Sequence, residues 1–164
     1  MLSMRNLSVL VAALAFAAAA VADSPHYVKG PTAVLDTSTG DYTVSFKEAG
    51  LGSSPVTYTL SAGTERFTFQ CFTKSHNTPQ GSPNSVSFSN SSTQTTLTPR
   101  NGQVTGSVSL VPQLGTASCQ GNGLELCLVA ASYTQVTLSD GLTSPVSLPS
   151  LSGDFSSNPI CKFN

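Results

Sequence analysis

Hydrophobic and polar residues alternate with a period of two over much of the chain after residue 23, a pattern typical of β-strands. In residues 42–47, for example, Tyr42, Val44 and Phe46 fall on one face and the polar residues on the other. Turn signals divide this pattern into short segments, and Gly63-Thr64 is predicted to be a tight connection. The predicted strands are 42–47, 56–62, 65–72, 104–111 and 124–138. Residues 32–35 are a possible short edge strand, residues 85–89 and 93–98 are strand candidates, and residues 144–148 with 151–155 supply the last one or two strands.

The longest hydrophobic-rich segment after residue 23 is residues 124–138, bounded by the turn signals Gly121-Asn122-Gly123 and Ser139-Asp140-Gly141. Its β-branched and aromatic residues favour a strand, and apolar residues on both faces place that strand in the middle of a sheet. A simple alternation puts Cys127, Val129, Ala131 and Tyr133 on one face, and Leu126, Leu128, Ala130, Val136 and Leu138 mostly on the other.

Short strands separated by regular turn signals, with no sustained helical period, predict an all-β protein. Seven to nine such strands indicate an antiparallel β-sandwich of immunoglobulin-like shape, with a small closed β-barrel as the alternative. The chain has no tryptophan, so it lacks the tryptophan that fills the core of antibody domains.

The amino-terminal segment has the organisation of a secretory signal peptide. Arg5 supplies the positive start, residues 7–20 form the apolar run, and Ala20-Val21-Ala22 is a small-residue cleavage pattern. A membrane anchor is the alternative, but the run is short and rich in alanine. We therefore expect residues 1–22 to be removed and residues 23–164 to form one secreted, extracellular domain.

The composition excludes several kinds of partner. Removing Arg5 from the seven basic residues leaves six against eight acidic ones, which is no electrostatic footprint for nucleic acid or an anionic membrane. Serine and threonine carry most of the polarity, and such a surface forms hydrogen bonds with water and saccharides. We expect an extracellular host or cell-wall component as the partner, without nucleic acid, membrane insertion or a cofactor.

All four cysteines, Cys71, Cys119, Cys127 and Cys161, lie beyond the predicted signal peptide. An even number in a secreted chain predicts two disulfides. The spacings contain no CxxC or HxxxH pair, so no metal site is predicted. Three connectivities are compatible with four cysteines, and spacing does not choose between them.

Residues suited to catalysis are few. The two histidines, His26 and His76, fall in a predicted arm and a predicted loop, away from any serine elbow. Glu48 and Glu65 flank a predicted hairpin and could form the carboxylate pair of a glycoside hydrolase. Each adjoins a basic residue, which is typical of solvated charge at strand ends. We therefore assign no catalytic residue, and a secreted hydrolase is the least favoured hypothesis.

A surface loop, or alternatively the serine- and threonine-rich face, is the expected place of binding, and a sequon is the expected place of modification. Residues 73–84 contain two prolines and one glycine and are predicted to form a surface loop, with Phe72, Lys74, His76 and Asn77 as candidate binding residues. Phe72 is either an exposed contact residue or a core residue. The sequon Asn90-Ser91-Ser92 predicts a glycan on Asn90, at a turn on the surface.

Several stretches resemble a group of small secreted disulfide-containing β-sandwich proteins of fungi and actinomycete bacteria. The matching stretches are residues 44–52, 56–62, Cys71, 101–104, 118–119 and 132–138. The resemblance covers most of residues 23–164 but brings no assigned activity or cofactor. It implies that Cys71 pairs with Cys119 as the common bridge of the group, and that Cys127 pairs with Cys161 as an addition. The alternative is Cys119–Cys127 with Cys71–Cys161, since eight residues can close a small loop.

These features together favour a non-catalytic small secreted protein that acts outside the cell by binding. The more specific hypothesis is a fungal effector or elicitor with a role in virulence. A structural protein of the cell wall or matrix is the alternative, because serine and threonine richness also fits O-glycosylation.

Overall fold

The computed structural model describes residues 24–75 and 78–163. The predicted signal peptide, residues 1–22, lies outside the described residues, and so do the binding candidates His76 and Asn77. The described residues form eight strands and no helix: β1 (His26–Leu35), β2 (Tyr42–Ala49), β3 (Val56–Thr73), β4 (Pro79–Leu97), β5 (Gln103–Leu110), β6 (Leu124–Ser139), β7 (Val146–Leu148) and β8 (Leu151–Asp154).

The strands form two antiparallel sheets that pack face to face around one main hydrophobic core. The smaller sheet has the order β1-β2-β5, and the larger has the order β4-β3-β6-β7, with β8 also paired to β6. The sheets do not close on each other, so the predicted β-sandwich is confirmed and the barrel alternative is wrong. The fourth strand pairs beside the third, as in immunoglobulin-like sandwiches whose extra strand joins the second sheet.

Two strands are far longer than predicted. β3 has 18 residues and β4 has 19, and each was predicted as two short strands. Gly63-Thr64 was predicted to be a turn but continues β3, and the sequon, residues 90–92, lies within β4 and not in a turn. Both prolines of β4 are tolerated because β4 is an edge strand.

The side-chain alternation changes phase in the middle of these long strands. In β3 the buried positions change from even to odd numbers between Ala62 and Glu65, and in β6 they change from odd to even between Tyr133 and Val136. At this level Gly63 lies opposite Asn90 of β4 and Gln135 of β6. We call these three residues the Gly63 row.

The backbone of the Gly63 row is unusual. Asn90 and Gln135 have positive φ angles of 55° and 53°, the left-handed conformation that side chains rarely adopt inside strands. A Cβ atom at position 63 would overlap the Gln135 side chain, so glycine is required there. No strand has an extra residue at the row, so the register is kept while the alternation of side chains reverses in all three strands. The apolar residues of both halves therefore face the core.

The predicted central position of β6 is confirmed, but the predicted division of its two faces is wrong. Besides the phase change near Gln135, β6 has one extra residue, Val129, between the pairs Thr68–Ala130 and Phe69–Leu128. Cys127 and Val129 therefore pack in a second, smaller cluster with Phe72 and partly buried Cys161, whereas the flanking leucines and Tyr133 enter the main core.

The two disulfides are Cys71–Cys119 and Cys127–Cys161, as the family resemblance implied. The first joins β3 to the segment before β6. The second holds the carboxy-terminal tail against β6, where Ile160 also exchanges two backbone hydrogen bonds with Leu128.

Reduction of these disulfides should lower the melting temperature by roughly 10 °C or more, because each bridge restricts the unfolded chain and contributes about 2–4 kcal/mol. The measurement is calorimetry with and without reductant. A variant carrying both Cys127→Ser and Cys161→Ser should lose part of this stability and free the tail. An unchanged melting temperature in reductant would show that the bridges do not stabilise the fold.

Candidate functional site

Glu48 and Glu65, the proposed carboxylate pair, are both 0% exposed, so the expectation of solvated charge at strand ends is wrong. Glu48 follows Phe46 by two residues on the inward face of β2, and Glu65 turns inward because of the phase change in β3. The predicted hairpin between their strands is also wrong, since β2 and β3 lie in opposite sheets.

Glu48 belongs to a buried polar cluster between the sheets. The Tyr58 hydroxyl donates a hydrogen bond of 2.8 Å to Glu48 Oε2. Glu48 Oε1 has no partner in good hydrogen-bond geometry among the described residues. The Asp140 carboxyl lies close enough to Glu48 to affect its pKa, and Asp140 Oδ1 accepts hydrogen bonds from the backbone N–H groups of Leu142 and Thr143.

This environment separates the pKa values of the two acids. Burial, followed by the hydrogen bond to Asp140, raises the pKa of Glu48 to about 7 against the opposing effect of Tyr58. Burial also acts to raise the pKa of Asp140, but hydrogen bonds from Thr143, Glu48 and Leu142 outweigh it and lower that pKa. The proton therefore resides on Glu48 and the charge on Asp140.

Glu65 lies in a separate place, in the other half of the sandwich. Its Oε2 accepts a hydrogen bond of 3.1 Å from Gln113, and burial raises its pKa against hydrogen bonds from Ser91 and Gln113. Tyr58, which contacts Glu48, is seven residues from Glu65 along β3, a distance of about 20 Å. Glycosidase carboxylates lie about 5–10 Å apart, so this geometry does not fit a catalytic pair.

The predicted binding loop is much shorter than expected. β3 extends to Thr73, β4 begins at Pro79, and the Thr73 N–H donates to the Thr78 carbonyl across the hairpin tip. Phe72 is 6% exposed and packs in the second cluster, so it is a core residue and not an exposed contact. Lys74 is exposed at the tip, and the other two candidates lie outside the described residues.

One group of side chains has the proximity of a metal site but not its chemistry. Ligand atoms of Glu125, Cys127 and Cys161 lie within 4.8 Å of one another. The two sulfur atoms are joined in a disulfide, and a disulfide offers no thiolate to a metal ion. The cluster therefore serves to attach the tail.

The outer face of the larger sheet carries a regular array of hydroxyl and amide side chains between the Gly63 row and the Val56 end of β3. Residues paired across strands point to the same side, so the register defines this array. We call it the hydroxyl face, and its residues are Thr57, Thr59, Ser61, Ser92, Gln94, Thr96, Thr137, Ser139 and Ser147. None of these residues is charged.

The hydroxyl face is ordered by its own sheet. The Thr57 and Thr96 hydroxyls lie 2.9 Å apart and hydrogen-bond across β3 and β4. Neighbouring strands are about 4.8 Å apart, and side chains on one face repeat about every 6.7 Å along a strand. Serine, threonine and glutamine at every second position signal this face in the sequence, but only the strand pairing brings the segments of β3, β4, β6 and β7 together.

A groove of about 430 Å³ lies at the edge of the hydroxyl face, over the Gly63 row. Asn90 lies at one side of it, and the Gln135 side chain extends over Gly63, in the space that a Cβ atom would otherwise take. The lining residues are Ser61, Ala62, Gly63, Asn90, Ser92, Gln135 and Thr137. Sequence reasoning singled out Asn90 as a sequon, but it did not detect the groove.

Comparison of the chain with protein-family models gives no match, and comparison with curated proteins gives no significant match either. Within the part of the chain that the structure describes, no helix has the length and hydropathy needed to cross a membrane. The function must therefore be argued from the chemistry of the surface.

The burial of Glu48 predicts that stability falls as the pH rises from about 4.5 to 7. In this range the folded protein holds a proton on Glu48 that the unfolded chain has released, so the free energy of unfolding should fall by roughly 2–3 kcal/mol from this group. Glu65, whose pKa is also raised, adds a change of the same sign. Asp140 is ionised in both states over this range and adds little.

Urea unfolding of the wild type and the Glu48→Gln variant at pH 5 and pH 7.5 checks this prediction. Glutamine keeps the shape without the titrating group, so the variant should lose the Glu48 share of the pH dependence. Glu65→Gln is the matched control, since it should retain that share. If the free energy of unfolding depended equally on pH in the wild type and in Glu48→Gln, the pH dependence could not be assigned to Glu48.

Proposed function

We propose that the protein is a non-catalytic small secreted protein that acts outside the cell by binding neutral polysaccharide chains through its hydroxyl face. The observation that carries this proposal is the uncharged array of hydroxyl and amide groups on one side of the larger sheet. Two disulfides support an extracellular location, because they persist in oxidising environments.

The chemistry of this face matches a neutral sugar polymer. Serine and threonine hydroxyls both donate and accept hydrogen bonds, as sugar hydroxyls do, and the Gln94 amide offers both functions in a planar group. A face without charge neither attracts ions nor repels an uncharged chain. The β-sheet holds these groups in fixed rows, so little side-chain freedom is lost when a polymer binds.

The biological setting of this binding divides into the two hypotheses that the sequence raised. A protein that diffuses from the cell and binds host polysaccharide would be an effector or elicitor. A protein that binds the polysaccharide of its own wall would be a structural component, and the hydroxyl face suits this alternative equally well. Fractionation of a producing culture into medium and washed wall distinguishes them.

Removal of the exposed polar side chains of the hydroxyl face should weaken binding to insoluble cellulose, chitin or β-glucan. The variant combines Thr57→Ala, Gln94→Ala and Thr96→Ala. Each lost hydrogen bond is worth about 0.5–1.5 kcal/mol, so the dissociation constant in a depletion assay should rise about 10-fold or more.

The control variant combines Gln103→Ala, Thr105→Ala and Ser107→Ala, three exposed polar residues of β5 in the smaller sheet. It removes the same kinds of group from the opposite side of the molecule and should bind like the wild type. Failure of the wild type to bind any of these polysaccharides would contradict the proposed function. Equal weakening by both variants would show that binding does not depend on the hydroxyl face.

A further inference from the structure

Asn90 combines two properties that no other described residue shares. It is the acceptor of the sequon Asn90-Ser91-Ser92, and its exposed side chain lines the groove over Gly63. The left-handed backbone at Asn90 accounts for an asparagine at this position, because asparagine tolerates positive φ. The positive φ of Asn90 does not account for Ser92, the third residue of the sequon. The Ser92 side chain also lines the groove.

We propose that Asn90 carries an N-linked glycan whose first sugar lies in the groove over Gly63 and covers one end of the hydroxyl face. The groove is thus a built seat for a neutral N-acetylated sugar that the chain itself carries. Of the three parts of this proposal, only the covering of the hydroxyl face rests on the proposed function. The modification rests on the sequon, and the position of the first sugar rests on the groove.

The size and lining of the groove suit this occupant. A volume of about 430 Å³ is at the lower end of the range of about 300–1,000 Å³ for small-molecule pockets, which is enough for one or two sugar rings. The Gln135 side chain lies over Gly63, in the space that a Cβ atom would take, so its amide forms the bottom of the groove. Thr137 stands on the far side of β3 from Asn90, so its hydroxyl and the Gln135 amide face a sugar that extends across the groove from Asn90.

The same placement explains how the glycan would alter binding. Ser61, Ser92 and Thr137 line the groove and are also the row of the hydroxyl face nearest to Asn90. A sugar seated there occupies their hydrogen-bonding groups, and further sugars extend from it over or beside the sheet. The unmodified chain presents the whole face, whereas the glycosylated chain presents only the part near Thr57 and Thr96.

The experiment compares the full chain made in a eukaryotic secretory host with the same chain made in the oxidising periplasm of bacteria. Peptide mass mapping should find the glycan on Asn90 in the first form only. After trimming to a single sugar, the glycosylated form should melt about 2–4 °C higher than the unmodified form, the shift expected for about 1 kcal/mol. An unmodified Asn90 in the secreted eukaryotic product would overturn the proposal.

Two isosteric variants test the seat separately from the modification. Thr137→Val removes a hydroxyl from the groove and should reduce the sugar-dependent rise in melting temperature by at least half. Thr105→Val, on the smaller sheet, should leave that rise unchanged. The same rise in Thr137→Val as in the wild type, or no rise in any form, would overturn the seat.

Binding to insoluble polysaccharide then tests the covering of the face. The glycosylated form should bind at least about 5-fold more weakly than the unmodified form, which corresponds to about 1 kcal/mol. Equal binding by both forms would overturn the covering. Binding by neither form would count against the proposed function alone, because the mass map and the melting temperatures still decide whether the sugar is attached and seated.

Discussion

The phase change at the Gly63 row is the constraint on which the rest of the structure depends. Side chains in a strand alternate strictly, so simple alternation from Val56 along β3 would turn Arg66 inward and Phe67 and Phe69 outward. The Gly63 row reverses the phase in β3, β4 and β6 at the same level, so all three strands keep their register through it. Strands of 16 to 19 residues can then span the whole sandwich with one continuous core.

The same reversal has a cost, since it places Glu65 between the sheets, and the alternation of β2 does the same to Glu48. A buried carboxylate is expensive unless it is protonated or hydrogen-bonded. The structure supplies Gln113 for Glu65, and both Tyr58 and Asp140 for Glu48. On the outer side, the reversal produces a groove with strained backbone at Asn90 and Gln135, and strain of this kind tends to lie at functional places.

Much of the fold could be predicted from the sequence because the period-two pattern is a local signal. The strand containing Tyr42, Val44 and Phe46 and the central position of residues 124–138 follow from it directly. Glu48 could also have been placed inward, since it continues the same parity, but the adjacent Lys47 made it resemble a surface charge. The alternation of β2 therefore indicated that Glu48 is buried, but the charge of the adjacent Lys47 favoured an exposed position.

The phase change itself could not be predicted, because it depends on three strands that are distant in sequence. Gly63 resembles a turn residue when it is considered alone, and Asn90 resembles a sequon in a turn. Their shared role becomes visible only when Gly63 lies between Asn90 and Gln135 in the sheet. A serine- and threonine-rich face was expected, but its residues could not be assigned for the same reason, since its segments in β3, β4 and β6 are separated by about 30 to 40 residues of chain.

The central claim is that the outer face of the larger sheet binds neutral sugar chains, and the most direct measurement is an NMR titration of the unmodified protein with a soluble neutral oligosaccharide. The account predicts that backbone amide shifts concentrate in β3, β4 and β6 at residues 57–61, 92–96 and 137–139. Shifts confined to β1, β2 and β5, or to the hairpin tip near Lys74, would contradict it.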